Sequence, residues 1–175
     1  MSASKFNLKA WIEAHRHLLQ PPVGNAIVWR DTEFIVMIVG GPNRRNDYHI
    51  DPGEEFFYQI EGDMVLKIMD QGKPRDIPIR AGEIFLLPAG IPHSPQRQAE
   101  TVGMVIERTR APSERDHLRW YCATCGDVLH DESFHARDLA TQLKPLIETF
   151  YGDASLRTCG RCGTVMDPPA PVAGA

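Results

Sequence analysis

The chain has 175 residues, a hydrophobic fraction of 42% and a formal net charge of -4. That length suits one sizeable core, or one domain with a small appendage, and the composition is that of a globular protein. The mild negative charge, with no block of Lys or Arg, excludes an electrostatic footprint for nucleic acid, and no apolar run approaches the roughly 20 residues of a membrane span. The N-terminus, "MSASKFNLKA", lacks the apolar centre of a signal peptide, so a soluble cytoplasmic protein is expected.

The first predicted element is an amphipathic helix in "NLKAWIEAHRHLLQPP". Leu8, Trp11, Ile12, His15, Leu18 and Leu19 recur at helical spacing, Asn7 can cap, and Pro21-Pro22 stops the run. His15 and His17 read as ordinary residues of a solvated or partly packed face.

From Ala26 to about Arg108 the pattern changes to short β-type runs: "AIVW", "EFIVMIV", "EFFYQI", "DMVLKIMD", "RDIPI", "EIFLLP" and "VGMVIER". Turn formers such as Asp-Pro-Gly and Asp-Gln-Gly-Lys separate them. Strands at this spacing without helices between them predict an antiparallel barrel or sandwich, whose mouth can hold one small ligand.

Beyond Arg110, "APSERDHLRW" reads as a polar linker. A first Cys pair follows, then a helical stretch "DLATQLKPLIETFYG" that Pro145 should break or kink, a second Cys pair, and a loose Pro/Ala tail. The expected division is therefore residues 1–110, a helix plus barrel, and residues 111–175, an extension.

Two stretches carry chemistry. "DYHIDPGEEFFYQIEG" offers His49, Glu55 and Gly62, and "GEIFLLPAGIPHSPQR" offers Gly82, Pro88, Gly90 and His93. These stretches resemble the two signatures of the cupin superfamily, in order. A second His is common two residues after the first; here that position is Asp51, which can serve as a fourth ligand, as a group behind the ligands or as turn chemistry before Pro52, the last being favoured. Two imidazoles and one carboxylate form the facial triad of non-haem Fe(II) oxygenases, leaving positions for a chelating substrate and O2. The neighbouring Glu54 should point to the opposite face of its strand.

The phrases "PPVGN", "GGPNRRNDYH", "EEFFYQIEG", "FLLPAGIPHSPQR" and "VIER" resemble the bacterial 3-hydroxyanthranilate 3,4-dioxygenase family over nearly the whole chain. The resemblance implies a mainly β, cupin-type jelly-roll barrel with an N-terminal helix and a small rubredoxin-like appendage. It implies ring opening of 3-hydroxyanthranilate by O2, giving 2-amino-3-carboxymuconate semialdehyde, the precursor of quinolinate. It places catalytic Fe(II) on His49, Glu55 and His93, the oxygen-side arginine on Arg45, the substrate-carboxylate arginine on Arg97, and a substrate-contacting glutamate on Glu107. It also suggests a homodimer, with the N-terminal helix and strand edges as a possible interface. Asn25 and Asp47 are expected to orient the substrate or Arg45.

"CATCG" and "CGRCG" are two Cys-x2-Cys-Gly knuckles, with Cys122, Cys125, Cys159 and Cys162 as ligands for a second iron or a zinc. Two disulfides are the alternative, disfavoured in a reducing compartment. A structural or iron-storing role that stiffens the tail is expected, with nothing in the linker to suggest contact with the barrel mouth.

Overall fold

The computed structural model describes residues 5–20, 24–29 and 32–170. Helix α1 (Leu8–His15) begins where the Asn7 side chain accepts from the Ala10 amide at 3.0 Å. A 3-10 turn, Arg16–Leu19, follows it. The proline stop expected at Pro21-Pro22 lies outside the described residues, as do the last five residues of the tail.

Eleven strands follow among the described residues: β1 (Asn25–Trp29), β2 (Phe34–Gly40), β3 (Asp47–Ile50), β4 (Glu55–Glu61), β5 (Met64–Asp70), β6 (Lys73–Ile79), β7 (Ile84–Leu87), β8 (His93–Arg97), β9 (Val102–Arg108), β10 (Asp116–Tyr121) and β11 (Val128–Phe134). One sheet runs β1-β2-β9-β4-β7 and the other β11-β10-β3-β8-β5-β6, every pairing antiparallel. This is the expected cupin-type barrel. Met37, Phe57, Leu87 and Val105 of the first sheet pack against Met64, Leu66, Ile68 and Ile79 of the second, alternate residues of each strand entering the core.

Helix α1 covers part of the outer face of the five-stranded sheet. Its Ile12, with Leu19, packs on Ile38 and Val102, and Arg16 ties it to Glu61 at 2.9 Å. Phe34, Ile84 and Leu86 on that sheet stay exposed.

One local expectation changes and another narrows. Residues 116–120, read as linker, lie in strand β10, which pairs with β3, Leu118 lying opposite His49. Strands from both sides of residue 110 thus share one sheet. Of the two outcomes expected at Pro145, a break does not occur: helix α2 (Leu139–Gly152) runs as one element through it. Packing explains the continuity: Phe150 stacks on Trp120 with ring centroids 4.1 Å apart, and Leu143, Leu146 and Ile147 join them against β10 and β11. A short helix α3 (Ala154–Arg157) leads to the second Cys pair. No helix among the described residues is long and apolar enough to cross a membrane.

Candidate metal centre and active site

Strands β3 and β8 place His49 and His93 directly opposite each other, and Glu55, at the start of β4, reaches them from the facing sheet. Glu55 is buried while Glu54 is exposed, as strand alternation requires. The Glu55 Oε1 atom lies 3.1 Å from His93 Nε2 and 3.6 Å from His49 Nδ1.

The outer nitrogens of the two rings decide what these atoms offer. His93 Nδ1 lies 3.1 Å from the Ile91 carbonyl, which can only accept, so the proton sits there and Nε2 carries a lone pair. His49 Nε2 lies 2.8 Å from Asp116 Oδ2, so by the same logic Nδ1 is the lone-pair atom. Two imidazole lone pairs therefore converge on a buried carboxylate oxygen that has no hydrogen-bond donor of its own. Such atoms repel unless positive charge lies between them, which is the donor set of a cation site. The titration directions show the same demand for positive charge, which a proton on His93 meets as a cation would. Burial pushes the Glu55 carboxyl up, but His93 and His49 hold it below its ordinary value; burial pushes His93 down, but Glu55 carries it above.

Behind this trio sits a buried charged brace. Arg110 donates to Asp116 through Nε (2.9 Å to Oδ1) and Nη2 (2.6 Å to Oδ2), and Nη2 also meets Glu107 Oε2 at 3.1 Å. Asp51 Oδ2 lies 2.8 Å from the same Nη2 but off the hydrogen-bond line, an ion pair without a directed bond. The other Asp51 oxygen accepts from the Gly53 amide at 2.6 Å, the turn chemistry expected of it. Burial, and then the neighbouring charge of Glu55, push Glu107 well above the usual carboxylate range. Burial also pushes Asp116 up, yet the bonds from His49 and Arg110 prevail and hold it down.

A cavity of about 70 Å³ adjoins the trio, bordered by Arg45, Arg97, Glu107, Asn25, Leu139 and Leu143. Arg97 is 2% exposed, yet it meets only a neutral group, donating to Gln59 Oε1 at 3.0 Å. Burial alone pushes its pKa down to about 10, so the cation persists at neutral pH. Arg45, in contrast, is held by Asp47, its Nε 3.0 Å from Oδ2. A larger groove of about 610 Å³ lies on the outer side of the six-stranded sheet beside the cysteines; Arg45 borders both spaces.

The four cysteines come together at the far end of α2. Cys122 Sγ is 3.6 Å from Cys162 Sγ and Cys125 Sγ 3.6 Å from Cys159 Sγ. Bonded sulfurs stand at ~2.05 Å, so these are not disulfides. Thiolates bound at ~2.3 Å around a tetrahedral ion are ~3.8 Å apart, which the spacing fits. The knuckles match: the Cys122 and Cys159 amides donate to Asp127 and Thr164 carbonyls, and Gly126 and Gly163 turn the chain at φ +74 and +76, where a side chain would be strained.

A model of the 3-hydroxyanthranilic acid dioxygenase family matches residues 1–151. The chain belongs to that family. A 3-hydroxyanthranilate 3,4-dioxygenase of Xanthomonas oryzae pv. oryzae is 56% identical over 163 residues, covering 93% of this chain and 92% of the relative. Proteins of the same name from a Jannaschia species and from Neurospora crassa are 52% and 51% identical, over 95% of this chain in each case and 94% and 92% of their own lengths. The matched region contains Cys122 and Cys125 and ends before Cys159 and Cys162.

For this dioxygenase the structure brings His49, Glu55, His93, Arg45, Arg97 and Glu107 to one cavity. The appendage is not remote from it: α2, held between the two Cys pairs, lends Leu139 and Leu143 to the cavity wall. The sequence reading did not single out Asp116, Arg110 or Gln59. Asp116 and Arg110 lie in the stretch read as linker or at its edge, and Gln59 inside an apolar strand run. Only the polar character of Gln59 at an inward position of β4 could have drawn attention.

Proposed function

We propose that this dioxygenase opens the ring of 3-hydroxyanthranilate with O2, giving 2-amino-3-carboxymuconate semialdehyde, at Fe(II) held by His49 Nδ1, Glu55 and His93 Nε2. The observation that carries the reading is the buried Arg97. It is a guanidinium with no carboxylate partner among the described residues, in the same cavity as the three metal-ligating groups. A buried cation left with a neutral partner is costly unless a ligand supplies the anion, and the fork of Arg suits a carboxylate.

Bound iron would acidify the phenol of a chelating 2-aminophenol and pass electron density from the ring to O2. The protein's own groups do the rest. Arg97 anchors the substrate carboxylate and so fixes which ring edge faces the metal. Glu107 has Oε2 held by Arg110, shares a hydrogen bond with Asp51 when it carries its proton, and borders the cavity, which suits it to the amine or hydroxyl edge of the substrate. Arg45, kept in place by Asp47, stabilises the negative charge that grows on oxygen as it is reduced. Leu139 and Leu143 exclude water. The cavity is smaller than the ~150 Å³ that accommodates benzene, so this wall gives way as the ring enters.

The four-cysteine site holds a second iron or a zinc in this reading. The protein works as a cytoplasmic homodimer, and the exposed Phe34, Ile84 and Leu86 support a face buried between copies. Light scattering on the eluting protein checks the dimer. The activity is tested by loading the protein with Fe(II) without oxygen, then adding 3-hydroxyanthranilate and O2. Oxygen uptake with a new ultraviolet absorbance is expected; neither appearing would leave a metal-binding barrel without redox chemistry.

A further inference from the structure

Three guanidiniums stand close to the metal-ligating trio, and two are neutralised by the protein: Arg45 by Asp47, and Arg110 by Asp51, Glu107 and Asp116. Arg97 alone is held by an amide. Gln59, 1% exposed, commits its Nε2 to the carbonyls of Glu61 and Gly62 at 3.0 and 3.1 Å. Those two acceptors fix the amide's orientation, so its oxygen must face Arg97. Across the strand pair, Gly103 lies opposite Gln59. A Cβ at Gly103 would come within 2.8 Å of Arg97 Nη1, 2.9 Å of Gln59 Oε1 and 3.1 Å of Arg97 Nη2, so only glycine leaves room for the guanidinium in this pose.

We propose that Gln59, with Gly103 as the floor of its cradle, determines substrate specificity by orienting Arg97 while leaving its charge uncompensated. This rests on the reading of Arg97 as the group that binds the substrate carboxylate. An acidic residue at 59 would neutralise Arg97 and set its second oxygen against the Glu61 and Gly62 carbonyls, so the site would lose both the pose and the demand for an aminophenol bearing a carboxylate. Gln59 touches neither the metal ligands nor the reacting ring edge; it is a positioning residue. Its substitution should move discrimination between substrates, and KM more than kcat.

The test uses the full chain loaded with iron under nitrogen. Calorimetry gives the Kd of 3-hydroxyanthranilate and of 2-aminophenol, which lacks the carboxylate, for the wild type, Gln59→Glu, Gly103→Ala and Arg97→Ala; steady-state kcat and KM for 3-hydroxyanthranilate follow in air. The preference for 3-hydroxyanthranilate, read as the ratio of the two Kd values, should fall by about tenfold or more in Gln59→Glu, as expected when a charge-assisted pair loses its net charge. If Gln59→Glu folds and keeps the wild-type ratio while Arg97→Ala loses it, the inference about Gln59 is wrong and the Arg97 reading stands. A wild-type ratio in Arg97→Ala overturns both. Should Gln59→Glu fail to fold, Gly103→Ala decides: it must lose the preference too, and a retained ratio there overturns the inference.

Discussion

His49 Nε2 lies 2.8 Å from Asp116 Oδ2, although 67 positions separate the residues in the chain. The contact fixes which imidazole nitrogen bears the proton and so turns the other toward Glu55. Arg110 clamps the same carboxylate, which keeps the ring from swinging. Partners of this kind commonly change metal affinity by about 10–100-fold. Asp116→Asn should therefore release Fe(II) to a competing chelator more readily by that order. An unchanged dissociation constant would mean that the barrel alone orients His49.

Metal ligands and substrate anchors should fail differently. Alanine at His49, Glu55 or His93 is expected to abolish iron retention, visible by elemental analysis. Arg97→Ala should keep its iron but bind 3-hydroxyanthranilate more weakly, by about 2–5 kcal/mol for a buried charge pair cut on one side. Loss of iron from Arg97→Ala would contradict the division of roles.

The stack of Phe150 on Trp120 is what holds α2 against β10 and β11. Phe150→Ala should lower unfolding free energy by about 3–5 kcal/mol in a urea titration. Since α2 also carries Leu139 and Leu143 to the cavity, the same variant should show faster amide hydrogen exchange over residues 139–152 and a raised KM. Destabilisation with no change in KM would show that the wall is set by the barrel and not by the helix.

Removing the ion of the four-cysteine site should act through the same helix. In Cys122→Ser/Cys125→Ser the two knuckles lose their common ligand, and α2 is anchored only by its apolar face. Limited proteolysis should then cut between the Cys pairs first, and KM should rise several-fold at unchanged kcat per catalytic iron. Wild-type resistance to protease would indicate that the knuckles hold without metal.

Much of the site was legible because cupin signatures place ligands at fixed distances from turn-forming Gly and Pro. His49, Glu55 and His93 could be named from spacing, and the apolar runs of β2, β4, β5 and β9 announced themselves by composition. The strands β3, β8, β10 and β11 did not. Their sequences, "DYHI", "HSPQR", "DHLRWY" and "VLHDESF", are rich in polar groups, and those of β3, β8 and β10 turn His, Asp and Arg side chains inward to serve one another. The periodicity that marks a strand therefore vanishes where the barrel does its chemistry.

The chain's own order of residues settled the helix at the start, the antiparallel class, the three groups that can grip a cation and the paired thiols near the end. Which arginine keeps a free charge, which acid orients His49 and which helix closes the cavity depended on the folded arrangement. Those relations join residues tens of positions apart, and their free energy comes from burial and charge pairing that exist only once the two sheets have closed.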